Sequence, residues 1–318
     1  MKLLVLGGTK FVGRGLAAAA LAAGHEVTLF HRGHTGLDVH PEAEHLLGDR
    51  DGGLDVLHGR SWDACVDVSG YEPRLVRASA EALVGSVGWL VYVSSISAYA
   101  SLARPTAEDA PLAELPPGAN PDDFSWELYG PLKALGERAV TDVFGERSTV
   151  VRPGYVVGPH DHTGRFTWWV RRGAQGGRMP LPRTISERAQ FIDARDLGRF
   201  LLRAATEQLP GAYNATGPLP PVGMRDVVEL AAQAAGVALE VVAVPDETVA
   251  AADVAFPLWL GPDPAWAAWA EIEVSRALAA GLAFTPLAET VKDTLADAPT
   301  VDGLGPSAAD EARLLAML

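Results

Sequence analysis

The chain has 318 residues, of which 48% are hydrophobic, and its 26 Lys and Arg residues against 40 Asp and Glu residues give a net charge of −14. This composition excludes a disordered chain and argues against a nucleic-acid binder as the default, while the length suffices for about two domains. The single cysteine, Cys65, excludes an intrachain disulfide and a cysteine-based zinc site, and the lack of a signal peptide or of an apolar run of roughly 18 residues predicts a cytoplasmic protein without membrane contact.

The first 30 residues have the order strand, glycine-rich turn, helix, strand. Residues 2–6 form a short apolar run, residues 11–23 are a predicted helix that ends at Gly24, and residues 26–30 are a second predicted strand. This order within about 30 residues is that of a βαβ unit.

The alternation of strands and helices continues along the first half of the chain. The further predicted elements are strands at 63–68, 89–95 and 148–152 and helices at 73–84 and about 131–144. Apolar strands that alternate with helices predict an α/β fold with a Rossmann-type, doubly wound parallel sheet.

The alternation fades after Gly158, where proline-rich turns and a tryptophan-rich stretch follow. We therefore predict a smaller, irregular C-terminal lobe that binds substrate. The predicted boundaries are 1–158 for the dinucleotide-binding domain, with 189–217 returning to it, and 159–188 together with 218–318 for the substrate lobe.

Residues 7–13 read Gly-Gly-Thr-Lys-Phe-Val-Gly and lie between the first strand and the first helix. Backbone N–H groups and a helix N-terminus in this position can bind a pyrophosphate, whereas the alternative is a merely structural turn. Lys10 stands where such turns usually have a middle glycine, and its charge can lie near a phosphate. The predicted cofactor-binding residues of this turn are Gly7, Thr9, Lys10, Phe11, Val12 and Gly13.

The end of the second strand indicates which nicotinamide cofactor is preferred. An NAD site has an acidic residue here for the ribose 2′-hydroxyl, but this chain has Phe30, His31 and Arg32. Arg32 could contact a 2′-phosphate and stack on adenine, so NADP is preferred over NAD; the alternative is a solvated turn residue. Asp49 could accept a hydrogen bond from the adenine amino group.

Tyr129 and Lys133 are four residues apart at the start of a predicted helix, whose first turn accommodates Pro131. They should lie on one helix face, where the lysine charge can lower the pKa of the phenol and bind ribose hydroxyls. Ser94 and Ser95 end a strand that faces the ligand crevice, so they could bind a reacting oxygen or merely cap the strand.

Together these residues resemble the extended short-chain dehydrogenase/reductase family, in particular its NAD-dependent epimerase/dehydratase group. The resemblance covers most of the chain and includes Asp49, Ser94–Tyr99, Arg152-Pro153, Gly158-Pro159 and Phe191-Ile192-Asp193 with Asp196. It implies a catalytic triad of Ser95, Tyr129 and Lys133. Ser69 and Pro153 are further predicted cofactor-binding residues. The turn with Lys10 is similar to a subgroup that includes the chloroplast stem-loop RNA-binding proteins and their bacterial relatives.

The resemblance implies an NAD(P)-dependent oxidoreductase or epimerase that transfers hydride between nicotinamide and a secondary alcohol or ketone, for example of a nucleotide sugar or another anionic small molecule. At two positions the sequence differs from members of the family, and these differences narrow the range of expected reactions. Ile96-Ser97 stand where 4,6-dehydratases have an Asp-Glu pair, which disfavours dehydration, and Ala189 stands where many nucleotide-sugar epimerases have an arginine.

Residues 165–203 hold nine arginines against three acidic residues. One interpretation is an anionic substrate, and the other is solvated helix faces balanced by acids elsewhere. His160-Asp161-His162 has metal-ligand residue types without a further acidic partner, so no metal site is predicted. The alternative function is a non-enzymatic RNA-binding or cofactor-sensing protein of the same fold. We expect a small-molecule partner rather than nucleic acid, and the sequence allows a homodimer.

Overall fold

The computed structural model describes residues 1–297 and 303–318. In these residues the strands are β1 (Lys2–Leu6), β2 (Glu26–His31), β3 (Glu44–Leu47), β4 (Trp62–Asp67), β5 (Val87–Val93), β6 (Ser148–Pro153), β7 (Tyr155–Val157), β8 (Gly177–Pro182), β9 (Ala189–Asp193), β10 (Gly211–Ala215), β11 (Gly217–Val222) and β12 (Leu239–Val244). The helices are α1 (Phe11–Ala22), α2 (Pro73–Leu83), α3 (Tyr129–Phe144), α4 (Arg165–Gln175), α5 (Arg183–Glu187), α6 (Ala194–Thr206), α7 (Met224–Ala235), α8 (Asp246–Ala251), α9 (Ser275–Ala279), α10 (Leu287–Asp297) and α11 (Ala308–Ala316).

A seven-stranded parallel sheet with the order β10-β6-β5-β4-β1-β2-β3 forms the centre of the fold. The chain runs outward from β1 through β2 and β3, and then starts again at β4 and runs outward in the opposite direction. The carboxyl ends of β1 and β4 therefore border a crevice, which is where ligands bind in sheets of this type. The predicted Rossmann-type α/β fold is confirmed.

The two faces of this sheet are both covered by helices, which explains why its strands are continuous apolar runs. On one face Leu3 and Val5 pack in a core with α1 and α6, and on the other face Leu4 and Leu6 pack with α2 and α3. Because neighbouring residues of a strand point to opposite faces, every position of a strand covered on both sides must be apolar.

The second half of the chain adds two smaller sheets and a separate core. β7, β9 and β11 form a three-stranded sheet, and β8 pairs with β12. The core beside them is rich in aromatic residues and includes the buried Phe166, Trp169 and Phe256. Among the helices of residues 1–297 and 303–318, none is both long and apolar enough to cross a membrane.

The structure departs from the sequence-based expectations mainly in short strands. β3 is an edge strand of four residues with exposed ends, and β8 and β11 contain internal prolines, so none has the alternating or continuous apolar pattern that identifies a strand. β5 ends at Val93 rather than at residue 95, so Ser94 and Ser95 lie just beyond the strand. This places both serines in the loop that leaves the carboxyl edge of the sheet.

Candidate functional site

A cleft of about 500 Å³ lies at the carboxyl edge of the sheet. Its lining residues come from the turn after β1, the end of β2, the loops after β3 and β4, the start of α2 and the loop before α4. The predicted cofactor-binding residues that line the cleft are Gly7, Thr9, Lys10, Phe11, Val12, Gly13, Arg32, Asp49 and Ser69. The three that do not line it are Tyr129, Lys133 and Pro153, the last of which is buried at the end of β6.

The turn after β1 has the geometry that a pyrophosphate needs. Gly7 and Gly8 have φ angles of +109° and +100°, which side chains other than glycine rarely adopt. α1 begins at Phe11 with no side-chain cap and no acidic residue in its first turn, so its first N–H groups are not satisfied by a capping side chain. These N–H groups and the positive end of the helix dipole fit the phosphates of a dinucleotide.

Gly13 provides a direct test of this turn. A Cβ atom at residue 13 would lie 2.6 Å from the backbone nitrogen of Gly8, so Gly13→Ala should displace the turn and weaken NADPH binding at least roughly tenfold, because phosphate binding depends on close backbone approach. Binding is measured by fluorescence titration. Gly85→Ala, where the added Cβ meets nothing within 4 Å, is the matched control. Equal affinity of both variants would contradict a phosphate site at this turn.

Lys133 lies one helical turn after Tyr129 on α3 and is buried. Its Nζ donates hydrogen bonds to the carbonyl oxygens of Gly70 at 2.7 Å and Val93 at 2.6 Å. Burial lowers the pKa of Lys133 to about 7, although the nearby carboxylates of Asp67 and Glu137 act in the opposite direction. Two of its three donors are thus used by the protein, and one remains.

Tyr129 begins α3 and lies beside Ser95. Burial raises the pKa of Tyr129 to about 12, and the neighbouring Tyr71 adds to this, whereas a hydrogen bond with Ser95 and the charge of Arg165 act to lower it. Nζ of Lys133 binds two backbone carbonyls, and the lowering of the phenol pKa by Lys133 stays a prediction. The structure does place the side chain of Ser95 beside that of Tyr129.

Tyr71 connects the cleft to this pair and was missed in the sequence analysis. Its side chain lines the cleft, its ring centroid lies 6.3 Å from that of Tyr129, and the Nζ of Lys133 lies 5.7 Å from the Tyr71 ring. The rings of Phe124 and Trp126 continue the contacts around Tyr129. No spacing in the sequence predicts this cluster, because residues 124 and 126 lie in a long loop and residue 71 follows a different strand.

A buried polar network lies behind the pair. Arg152 of β6 donates two hydrogen bonds to the carboxylate of Glu137, at 2.9 and 2.7 Å, and Ser94 donates a third. The same guanidinium donates to the hydroxyl of Tyr99 at 2.9 Å. Because Glu137 lies one turn after Lys133, the network fixes the inner face of α3 against β5 and β6 and accounts for Ser94 as a structural residue.

The arginines of residues 165–203 are mostly neutralised within the described part of the chain. Six of the nine form ion pairs with carboxylates: Arg172, Arg178, Arg188, Arg195, Arg199 and Arg203. Arg165 differs, since its Nε donates to the Thr163 hydroxyl and its guanidinium lies 5.6 Å from the centre of the Tyr155 ring. Arg165 is also the arginine whose charge acts on Tyr129.

His160 and His162 serve different contacts. The ring of His160 lies 3.0 Å from a carboxylate oxygen of Asp297, whereas His162 lines the cleft and packs edge-on against Phe11. Within the described ranges, no group of three or more histidine, cysteine or acidic side chains is arranged to hold a metal ion. Of residues 160–162, only His162 contributes to the wall of the cleft.

Residues 70–216 match the model of the NAD dependent epimerase/dehydratase family. The match covers 147 of the 318 residues. The matched segment includes Ser95, Tyr129 and Lys133, and the resemblance stated from the sequence is confirmed. The match begins after the turn at residues 7–13, so the cofactor cleft is inferred from the geometry of that turn and of the residues that line the cleft.

A curated relative is the chloroplast stem-loop binding protein of 41 kDa b from Arabidopsis thaliana, which is 26% identical over 217 residues. The match covers 63% of this chain, and the chain spans about half the length of that relative (54%). This likeness agrees with the subgroup suggested by the Gly-Gly-Thr-Lys-Phe turn.

Solved structures similar to this chain have the same fold. UDP-N-acetylglucosamine 4-epimerase from Bacillus cereus is 18% identical with a TM-score of 0.68, and covers 96% of this chain and 98% of its own. WbmH from Bordetella bronchiseptica, in complex with NAD⁺, is 20% identical with a TM-score of 0.67, and covers 93% and 97%. RMD from Pseudomonas aeruginosa, complexed with NADPH, is 21% identical with a TM-score of 0.62, and covers 93% and 98%.

Proposed function

We propose that the protein is a nicotinamide-dependent oxidoreductase or epimerase that transfers hydride between the cofactor and a secondary alcohol or ketone. The observation that carries this proposal is the continuity of the site: Tyr71 lines the phosphate cleft and contacts both Tyr129 and Lys133. A dinucleotide bound with its pyrophosphate at the turn can therefore extend along the crevice toward the catalytic pair. The similar structures with NAD⁺ and NADPH support a nicotinamide cofactor.

The residues have distinct proposed roles. The cofactor, when bound, supplies or accepts the hydride. Tyr129 exchanges a proton with the substrate oxygen, and Ser95, which shares a hydrogen bond with Tyr129, orients that oxygen. Lys133 uses its remaining donor for the cofactor ribose, and its positive charge favours the phenolate of Tyr129 when the two approach. The raised pKa of Tyr129 means that the hydroxyl holds its proton until such a partner stabilises the anion.

NADP is the proposed preferred cofactor because of Arg32. Its side chain is exposed at the rim of the cleft directly after β2, and none of the ion pairs in the described ranges involves it. A free guanidinium in this position matches the geometry and charge of a 2′-phosphate, and no carboxylate ends β2 to bind a ribose 2′-hydroxyl.

Arg32→Ala should therefore weaken NADPH binding roughly tenfold or more and leave NADH binding within about twofold, because a hydrogen bond to a charged group contributes on the order of 1.5–3 kcal/mol. Titration of the two reduced cofactors by fluorescence measures this difference. Arg74→Ala removes another exposed arginine, one that pairs with Asp51 outside the cleft, and serves as the control. A parallel loss of both affinities, or of neither, would refute the 2′-phosphate contact.

An anionic substrate is the proposed class because Arg165 lies next to the reacting position. Its charge acts on both Tyr129 and Tyr155, and among the described residues it is held by Thr163 and the Tyr155 ring rather than by an acid. The fold neighbours include an epimerase of UDP-N-acetylglucosamine, whose substrate carries a diphosphate. A nucleotide sugar or another phosphorylated alcohol is the substrate type that fits this cation.

An RNA-binding function is the second candidate, and the observation that favours it is the stem-loop binding relative. Two findings weigh against it. The net charge is −14, and six of the nine clustered arginines already pair with carboxylates in the described chain. A phosphate-dominated complex loses affinity steeply with salt, so RNA binding measured at 50 and 200 mM salt separates the two functions.

The direct test of the proposed function starts with the purified protein. Mass spectrometry identifies any nucleotide that copurifies, and NADPH oxidation is then followed with UDP-sugars and phosphorylated ketones. We expect bound or added nicotinamide cofactor and hydride transfer to at least one of these classes. Absence of binding to both NADPH and NADH would overturn the proposal.

A further inference from the structure

Three histidines form a hydrogen-bonded chain beside the cofactor cleft. His31 ends β2, His45 lies on β3, and His40 lies in the loop between them. Nε2 of His31 lies 2.8 Å from Nδ1 of His45, and Nε2 of His45 lies 3.3 Å from the carbonyl oxygen of His40. Nε2 of His40 lies 3.1 Å from the carbonyl oxygen of Arg14 on α1. The chain thus links β2, β3 and α1 around one end of the cleft.

The partners determine where each proton lies. The backbone N–H of Gly33 can only donate, and it donates to Nδ1 of His31 at 3.1 Å. The proton of neutral His31 must therefore be on Nε2, from which it is donated to Nδ1 of His45. His45 then carries its proton on Nε2 and donates it to a carbonyl oxygen. The rings of His31 and His45 are neutral in this arrangement, and both nitrogens of each are occupied within the protein.

Occupied nitrogens have a consequence for the cofactor. His31 is the buried side chain at the end of β2 and lines the cleft, but neither of its nitrogens is free to accept a hydrogen bond from a ribose hydroxyl. The same bond to Gly33 anchors the backbone directly after Arg32. Gly33 has a φ of +76°, so the chain turns sharply here and Arg32 is left exposed at the rim. A rigid turn holds a cation better than a mobile loop does.

We propose that the chain of His31, His45 and His40 is a positioning device that makes the cleft selective for the 2′-phosphorylated cofactor. It withholds the acceptor that an unphosphorylated ribose would need, and it fixes the turn that presents Arg32 to a 2′-phosphate. The inference rests on the proposed cofactor site and adds residues to it that act through Arg32.

His45→Phe is the decisive variant because it keeps a ring on β3 and removes both nitrogens. The affinities of NADPH, NADH, ADP-ribose and 2′-phospho-ADP-ribose are measured by calorimetry, and the readout is the ratio between phosphorylated and unphosphorylated ligands. We expect this ratio to fall at least roughly tenfold, mainly through weaker binding of the phosphorylated pair, since one charge-assisted contact is lost or misplaced.

Two further variants separate positioning from general damage. His45→Gln can accept from His31 and donate to the carbonyl of His40, so it should restore most of the ratio. His58→Phe changes an exposed histidine outside the cleft and should leave the ratio unchanged. If His45→Phe does not fold, His45→Leu removes both nitrogens with a smaller side chain and carries the same comparison.

The outcomes are distinct. A ratio that stays unchanged in His45→Phe, or an equal loss of all four ligands, overturns the positioning role. A wild-type protein that binds neither ADP-ribose nor its 2′-phosphate overturns the proposed cofactor site itself. A fallen ratio that His45→Gln restores supports the inference.

Discussion

Tyr129→Phe is expected to lower kcat by about 10²–10⁴-fold, because general acid–base catalysis by a positioned side chain contributes that much. The variant keeps the ring that packs between Tyr71 and Trp126 and removes only the hydroxyl that meets Ser95. NADPH affinity should therefore change little. The measurements are the steady-state kcat on the UDP-sugar or phosphorylated ketone that supports NADPH oxidation, and the dissociation constant of NADPH.

Tyr155→Phe is the matched control for this variant. Like Tyr129, Tyr155 is half-buried, its partial burial raises its pKa to about 12, and it lies near Arg165, but it has no contact with Ser95 in the described structure. Tyr155→Phe removes the hydroxyl and keeps the ring that packs against Arg165, so kcat should fall only a few-fold. Full turnover by Tyr129→Phe would refute the proton-transfer role of Tyr129.

Lys133→Met is expected to abolish activity and to change how stability depends on pH. Burial lowers the pKa of Lys133 from 10.5 to about 7 in the folded protein. Between these values the unfolded chain binds a proton that the folded chain does not, so the free energy of unfolding of the wild type rises with pH over this interval. Below pH 7 the buried Lys133 is protonated and lowers the free energy of unfolding by the full amount; above pH 10.5 this destabilisation is absent.

The slope is at most about 1.4 kcal/mol per pH unit for one proton. Between pH 7 and 9.5 the wild type should therefore gain roughly 2–3 kcal/mol relative to Lys133→Met. The upper limit avoids the region above pH 10, where the raised pKa values of Tyr129 and Tyr155 act in the opposite direction. Urea denaturation at the two pH values measures the difference.

Lys292→Met replaces an exposed lysine on α10 and should show the same pH slope as the wild type. If the free energy of unfolding depends on pH equally in all three proteins, burial does not lower the pKa of Lys133 in the folded state. If Lys133→Met changes the pH dependence of stability but keeps full activity, Lys133 is buried with a lowered pKa and has no catalytic role.

The sequence alone predicted the features that depend on local pattern. Apolar runs that alternate with helical segments predict the parallel sheet, since strands covered on both faces must be apolar throughout. The turn at residues 7–13 was predictable for a similar reason: glycine is needed wherever backbone approaches backbone or φ is positive, as it is at Gly7 and Gly13. The pair Tyr129 and Lys133 shares a helix, so its spacing also determines its geometry.

Features that join distant segments were decided only by the tertiary structure. Tyr71 reaches Tyr129 across 58 positions of the chain, and His31 meets His45 only because β2 and β3 are neighbours in the sheet. Whether the arginines of residues 165–203 bind an anion or pair with acidic side chains depends on contacts that only the tertiary structure shows. The spacing of Tyr129 and Lys133 did not show that the buried Nζ of Lys133 binds the carbonyls of two other segments. Sequence spacing describes residues on one element, whereas the charge and hydrogen bonding of a side chain depend on every element packed around it.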